Sequence, residues 1–160
     1  MAKIYLAGPC DKDNRENMTA IAAALRAEGY TVYCPFELKI ENAWDYSQEE
    51  WAKKVFDCDI MAIDNCDFMV MISRGRHSTA GTNWEQGYAY AKGKPVFVFQ
   101  MTMWDTSLMT YWGCNTFYNM PKDCGREIRL DIIAKYPYEA RIKSKRDRSV
   151  RHERCYTTLT

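Results

Sequence analysis

Short apolar runs alternate with amphipathic stretches along this chain. Lys3-Ile4-Tyr5-Leu6-Ala7 reads as a buried strand that stops at Gly8-Pro9. Residues 13–28 bring Met18, Ile21, Ala22 and Leu25 onto one helical face, and Gly29 ends that helix. Tyr30-Thr31-Val32-Tyr33-Cys34 is a second strand, stopped by Pro35, and residues 36–46 form a loop rich in aromatics. Ser47-x-x-Glu50 is a capping box that opens a helix to about Cys66. A third strand at 67–72, a polar loop from Ser73 to Ala80, a helix to about 92 and a fourth strand at 95–100 follow. Residues 104–120 are aromatic without a clear period, and 122–135 have the pattern of a last helix. Strands alternating with helices predict an α/β domain: a doubly wound parallel sheet with helices on both faces.

Spacing sorts the aspartates of the 47–66 helix. Trp51, Val55, Cys58 and Ala62 define its buried stripe, at 100° per residue. Asp57 and Asp64 fall on the opposite, solvated face, whereas Asp59 falls at the edge of the stripe. A carboxylate drawn toward the interior costs free energy unless it has a partner or a job. Capping a neighbouring loop would be such a partner.

Composition narrows the class. The chain has 160 residues, enough for one full core. Its net charge of +1 is unevenly spread, with −3 over residues 1–138 and +4 over 139–160. The basic end, around Arg141-Ile142-Lys143-Ser144-Lys145-Arg146, has no apolar periodicity and reads as a flexible C-terminal tail. A nucleic-acid role for it is disfavoured, because a few basic residues on such an end are usually just solvated. The seven cysteines are odd in number, none forms C-x-x-C, and there are two histidines, so a zinc site is disfavoured. No apolar run approaches a membrane span and no signal-peptide pattern is present, which predicts a soluble protein of the reducing cytoplasm.

The chemistry concentrates in Gly81-Thr82-Asn83-Trp84-Glu85-Gln86-Gly87-Tyr88-Ala89, between the third and fourth strands. The pattern places Glu85 in the first turn of a helix at the carboxyl end of a sheet, where open α/β sheets bind ligands. The helix dipole there favours the ionised form that a nucleophile needs. The same residues also fit a bland role, since Thr82-x-x-Glu85 has the form of a capping box.

With these residues in view, the chain resembles the nucleoside 2-deoxyribosyltransferase family over roughly residues 3–113. The resemblance rests on Lys3 to Pro9, on Asp59 before the third strand, on Gly81 to Ala89, and on Gly93-Lys94-Pro95-Val96. It implies a flavodoxin-like sheet in a single catalytic domain, residues 1–138, and cleavage of the N-glycosidic bond of 2'-deoxynucleosides with no metal and no cofactor. It implies that Glu85 attacks C1' of the sugar to form a covalent glycosyl-enzyme. Tyr5 would orient that carboxylate, and Asp59 would hydrogen-bond the nucleobase and handle its proton. Gly8, Ser78, Thr79, Gly81, Ser107 and Met109 would line the substrate site.

Two positions depart from the transferase pattern. Transferases have an Asp six residues before the nucleophile, holding the sugar 5'-hydroxyl; here that position is Thr79, preceded by Ser78. They also place an Asn before a Leu-Met pair, reaching in from a neighbouring subunit; here Ser107 precedes Leu108-Met109. A sister branch with small hydroxyl residues at both places hydrolyses nucleoside 5'-monophosphates. A carboxylate beside the 5'-oxygen repels a phosphate, whereas hydroxyls donate hydrogen bonds to one, and Arg74, Arg76 and His77 in the same loop would add positive charge. The expectation is therefore hydrolysis of (deoxy)nucleoside 5'-monophosphates, with base exchange between deoxynucleosides as the alternative and a non-catalytic nucleotide-binding module as a further one. A module that only binds has no need of Glu85, Tyr5 and Asp59 together. Gly8-Pro9 lacks the spacing of a dinucleotide site. Phe36, Trp44 and Tyr46 would stack on a nucleobase, pack beneath their loop or form a subunit contact. Trp104, Tyr111, Trp112, Phe117 and Tyr118 read as an interface, predicting a homodimer or larger homo-oligomer with a shared active site.

Overall fold

The computed structural model of the protein describes residues 1–102 and 105–119. Five strands, β1 (Lys3–Ala7), β2 (Thr31–Tyr33), β3 (Phe68–Ser73), β4 (Val96–Gln100) and β5 (Thr116–Asn119), form one parallel sheet in the order β2-β1-β3-β4-β5. Four helices connect them: α1 (Arg15–Ala27), α2 (Gln48–Asn65), α3 (Ala80–Ala91) and the short α4 (Leu108–Trp112). This is the parallel α/β sheet that the sequence pattern predicts, in the flavodoxin-like order that the resemblance implies. The order reverses between β1 and β3, which opens a crevice at their carboxyl ends.

Alternation along the strands builds two cores. Ile4, Leu6, Val70, Ile72, Phe97 and Phe99 face Met18, Ile21, Ala22 and Leu25 of α1. Tyr5, Ala7, Met69, Met71, Val96 and Val98 face the other way, with Ile63 of α2 and Ala89 of α3. Both faces are covered, so β3 and β4 are buried at every position, as parallel strands between helix layers must be.

Four local expectations need correction. The stripe on α2 is rotated: Ile63 is its only fully buried residue, while Val55, Cys58, Asp59 and Ala62 are half-buried and Trp51 is exposed. Asp64 does not simply face solvent, because α3 packs beside it; its carboxylate takes the Lys92 ammonium at 3.0 Å and the Tyr88 hydroxyl at 3.1 Å. The aromatic stretch that showed no period contains α4 and the edge strand β5. Tyr118 stacks on Phe99 at 4.6 Å and Tyr111 packs against Phe117 at 5.2 Å, so much of this segment serves the protein's own core. The loop aromatics also divide: Phe36 lies against the α1 core and under the Arg15 guanidinium, Tyr46 lies under Lys54, and Trp44 is 96% exposed. The helix expected at 122–135, the tail 139–160 and Trp104 lie outside the described residues.

Cys34, Cys66 and Cys114 are buried free thiols, as their apolar settings suggest; Cys58 is half-buried and Cys10 is exposed. Among the described residues no helix is long and apolar enough to cross a membrane.

Candidate active site

The site grows from the register of two neighbouring strands. Tyr5 on β1 pairs with Tyr33 on β2, so both point to the α2–α3 face. Their rings stack with centroids 5.5 Å apart and planes 20° from parallel. The Tyr5 hydroxyl donates to Glu85 Oε1 on α3 at 3.0 Å. The Tyr33 hydroxyl donates to Asp59 Oδ1 on α2 at 2.8 Å. Two stacked phenols thus hold two carboxyls on two helices at the reversal point of the sheet.

Glu85 does not cap its helix. α3 begins at Ala80, with Thr79 as N-cap; the Thr79 Oγ1 accepts from the Thr82 N–H at 3.3 Å. Glu85 is therefore in the second turn, where the helix terminus gives it little help. Its environment opposes ionisation. Burial, with a smaller push from Asp59, raises its pKa from an ordinary 4.5 to about 7, against the stabilising hydrogen bond from Tyr5. The capping-box reading of Thr82 and Glu85 and the expected pull toward the charged form are both overturned. Burial also raises Asp59, and the Tyr33 hydrogen bond opposes it. Both phenols are pushed far above their usual range, mainly by burial, and remain proton donors.

The hydroxyl-rich entrance to α3 is tied to the end of β1. Thr82 is 2% exposed and its hydroxyl donates to the Gly8 carbonyl at 2.9 Å. That leaves the 2.7 Å contact between the Thr79 and Thr82 hydroxyls to be donated by Thr79. Ser78 Oγ accepts from the Arg74 N–H at 2.8 Å and lies 3.3 Å from the Ser73 hydroxyl. Gly8 is buried, and a Cβ there would overlap the Met18 thioether. Gly81 sits in the exposed first turn, where a Cβ would meet nothing within 4 Å.

Ser107 comes alongside through α4. Its Oγ accepts from the Met109 N–H at 3.2 Å, capping that helix. Thr110 then bridges to α3: its carbonyl accepts from Gln86 Nε2 at 2.8 Å and its hydroxyl donates to Asn83 at 3.3 Å. Met109 is 82% exposed. Arg74 is engaged with Asp11 at 2.8 Å, so its charge is partly neutralised where the loop was expected to be basic. Arg76 and His77 occupy the turn Gly75–His77.

The structure brings Tyr5, Glu85 and Asp59 to one end of the sheet and adds Tyr33, Thr82 and Gln86, whose contacts there the sequence did not announce. Tyr33 carried a signal: it is the ring at the carboxyl end of the strand beside β1, two residues before Pro35. Thr82 and Gln86 carried none, because a buried polar side chain within a helix is recognised only by its partner.

Comparisons with known proteins agree with this architecture. The structure superposes on a 2-deoxyribosyltransferase from Bacillus psychrosaccharolyticus with a TM-score of 0.64 and 29% identity, over 82% of this chain and 96% of that one. A conserved protein from Enterococcus faecalis V583 superposes with a TM-score of 0.52 and 26% identity, over 62% and 63% of the two chains. Clostridium botulinum CMP N-glycosidase BcmB shares the fold, with a TM-score of 0.51 and 19% identity over 76% and 92%. Comparison with curated protein sequences gives no match. The family model described as nucleoside 2-deoxyribosyltransferase matches residues 4–128, most of the chain. The protein is an enzyme acting on nucleosides or nucleotides, and it belongs to the nucleoside 2-deoxyribosyltransferase family.

Proposed function

We propose that this enzyme cleaves the N-glycosidic bond of 2'-deoxynucleoside 5'-monophosphates by double displacement through Glu85. The observation that carries the reading is the Tyr5–Glu85 hydrogen bond at the reversal point of the sheet, with Asp59 on the adjacent helix. In the first step a Glu85 carboxylate oxygen bonds to C1' as the C1'–N bond breaks. The departing nucleobase takes a proton from Asp59. In the second step water bonds to C1', the ester to Glu85 breaks, and the water's proton returns to Asp59. Tyr5 holds one Glu85 oxygen and leaves the other to attack.

The choice of a 5'-monophosphate rests on two absences: the transferases' carboxylate from position 79 and their amide from position 107. The Thr79 and Ser78 hydroxyls are engaged locally, which shifts the weight from side-chain donors to the α3 entrance itself. Thr79 caps the Thr82 N–H, and the Asn83 N–H bonds the Thr79 carbonyl at 3.2 Å. The Ala80 and Gly81 N–H groups are the remaining orphan donors of the first turn. Gly81 adds no side chain to cover them, and an anion suits such a terminus. Leu108 and Met109, both exposed beside Ser107, support a site completed by a second copy of the chain. Nothing in this scheme requires a cofactor or residues 139–160.

A second reading is favoured by the 29% identity to a 2-deoxyribosyltransferase: a nucleobase in place of water as the acceptor. Base release from paired deoxynucleosides and 5'-monophosphates, each with and without a second nucleobase, separates the two. Faster release from monophosphates without an acceptor supports hydrolysis. Release that depends on the acceptor and prefers the unphosphorylated nucleoside supports transfer.

A further inference from the structure

Tyr33 is the one polar group of the constellation without a part in that chemistry. We propose that Tyr33 is a positioning residue for glycosidic cleavage: its hydroxyl fixes one oxygen of Asp59, leaving the other to protonate the departing base, while its ring braces the Tyr5–Glu85 pair. This inference rests on the roles of Glu85 and Asp59 proposed above.

The geometry is unusually constrained. Asp59 stands on a helix and is half-buried, and its carboxyl has staggered alternatives that would turn it from the crevice. A 2.8 Å bond from a phenol on a sheet strand removes that freedom. The Tyr33 ring cannot swing freely, because it is stacked on Tyr5, which is fully buried. Tyr5 in turn bonds Glu85. The chain Asp59–Tyr33–Tyr5–Glu85 therefore sets the relative placement of two carboxyls that come from different helices. Burial and the adjacent Asp59 carboxylate keep the Tyr33 phenol protonated, so it stays a donor and does not act as an acid itself.

Tyr33 also bears on where Asp59 titrates. The groups that couple to Asp59 are Tyr5 from β1, Cys10 just after it, Tyr33 from β2 and Glu85 from α3, with Cys58 beside Tyr33 on α2 itself. Burial pushes the Asp59 carboxyl up and the Tyr33 hydrogen bond pulls it down. No cation offsets the burial among these groups. Removal of the Tyr33 hydroxyl lets burial act alone.

Tyr33→Phe tests this, since it keeps the ring stack and deletes the hydrogen bond. With the substrate that wild type cleaves, kcat is expected to fall roughly tenfold while KM stays within about twofold. The limb of the pH profile that Asp59→Asn abolishes is expected to move up by about one pH unit, the effect of losing a hydrogen bond to a charged acceptor. A 4-nitrophenyl 2-deoxyribofuranoside has a leaving group that departs as a stable anion and needs no proton, so the pre-steady-state burst of 4-nitrophenolate, which reads the first displacement alone, should show no loss in Tyr33→Phe. Tyr33→Leu removes the brace as well, and its loss should persist with that substrate. A Tyr33→Phe variant with wild-type kcat and pH profile, or with equal losses for both leaving groups, would overturn the proposal. Base release surviving in Glu85→Gln would instead remove the reading on which it rests.

Discussion

The buried carboxylate of Glu85 makes a prediction about stability as well as rate. Its pKa stands at about 7 in the folded protein against an ordinary 4.5, because burial outweighs the Tyr5 hydrogen bond. The folded state thus holds this proton more tightly than the unfolded chain does. The group's contribution is most favourable below pH 4.5, is lost as pH rises toward 7, and is constant above that. At about 1.4 kcal/mol per pH unit the loss amounts to about 3 kcal/mol, an upper figure because the side chain keeps some solvent contact. Glu85→Gln removes the charge, keeps the shape and still offers an oxygen to the Tyr5 hydroxyl. It should match wild type near pH 4.5 and exceed it by about 1–3 kcal/mol at pH 8, while losing turnover by several orders of magnitude. Urea unfolding of both proteins at pH 4.5, 6, 7 and 8, with unchanged m-values, measures the difference. Parallel pH dependences for wild type and variant would refute the claim that Glu85 is strained by burial.

Further consequences follow from the same contacts. Tyr5→Phe deletes the one hydrogen bond that favours ionised Glu85, so the acid limb of the pH–rate profile, near pH 7 in wild type, should move upward and the rate at pH 7 should fall at least tenfold; an unmoved limb would count against the pairing. Thr79→Asp replaces one good N-cap by another, so the fold should hold within about 0.5 kcal/mol, yet the kcat/KM ratio of monophosphate to nucleoside should fall by a hundredfold or on that order; an unchanged ratio would place the 5'-end elsewhere. Gly8→Ala drives a methyl into the buried Met18 side chain and should cost about 1–3 kcal/mol; in a double-mutant cycle read by thermal unfolding, the Gly8→Ala and Met18→Ala losses should sum to more than the double variant's loss, and strict additivity would rule out the clash.

The sheet was legible because its strands are short, nearly wholly apolar and separated by one helix each. β3 and β4 are buried on both faces and could be read from composition alone. β5 was hidden because its Thr116–Asn119 run is short, half-buried and next to a five-residue helix, so no period develops. The α2 stripe was misjudged through Trp51, an aromatic that a pattern places inside and that the structure leaves exposed. The juxtaposition of Glu85 and Tyr5 was legible in motif and strand position, but the sign of the Glu85 environment was not. Helix position was read one turn late, since Thr79 and Thr82 are both plausible caps and only the observed hydrogen bonds distinguish them. Tyr33 shows what sequence cannot weigh: its part depends on register with β1 and on a carboxyl 26 residues away.

A covalent bond between Glu85 and C1' leaves its mark in the stereochemistry of the product. Cleavage of a β-deoxynucleotide or β-deoxynucleoside in aqueous methanol lets methanol compete with water for the second displacement. Two inversions at C1' give the β-methyl 2-deoxyriboside or its 5-phosphate, which cannot mutarotate and is identified by proton NMR. Wild type should give the β product, and Glu85→Gln should give no methyl glycoside. An α-methyl product would mean a single displacement by solvent, with Glu85 acting as a base, and would contradict it.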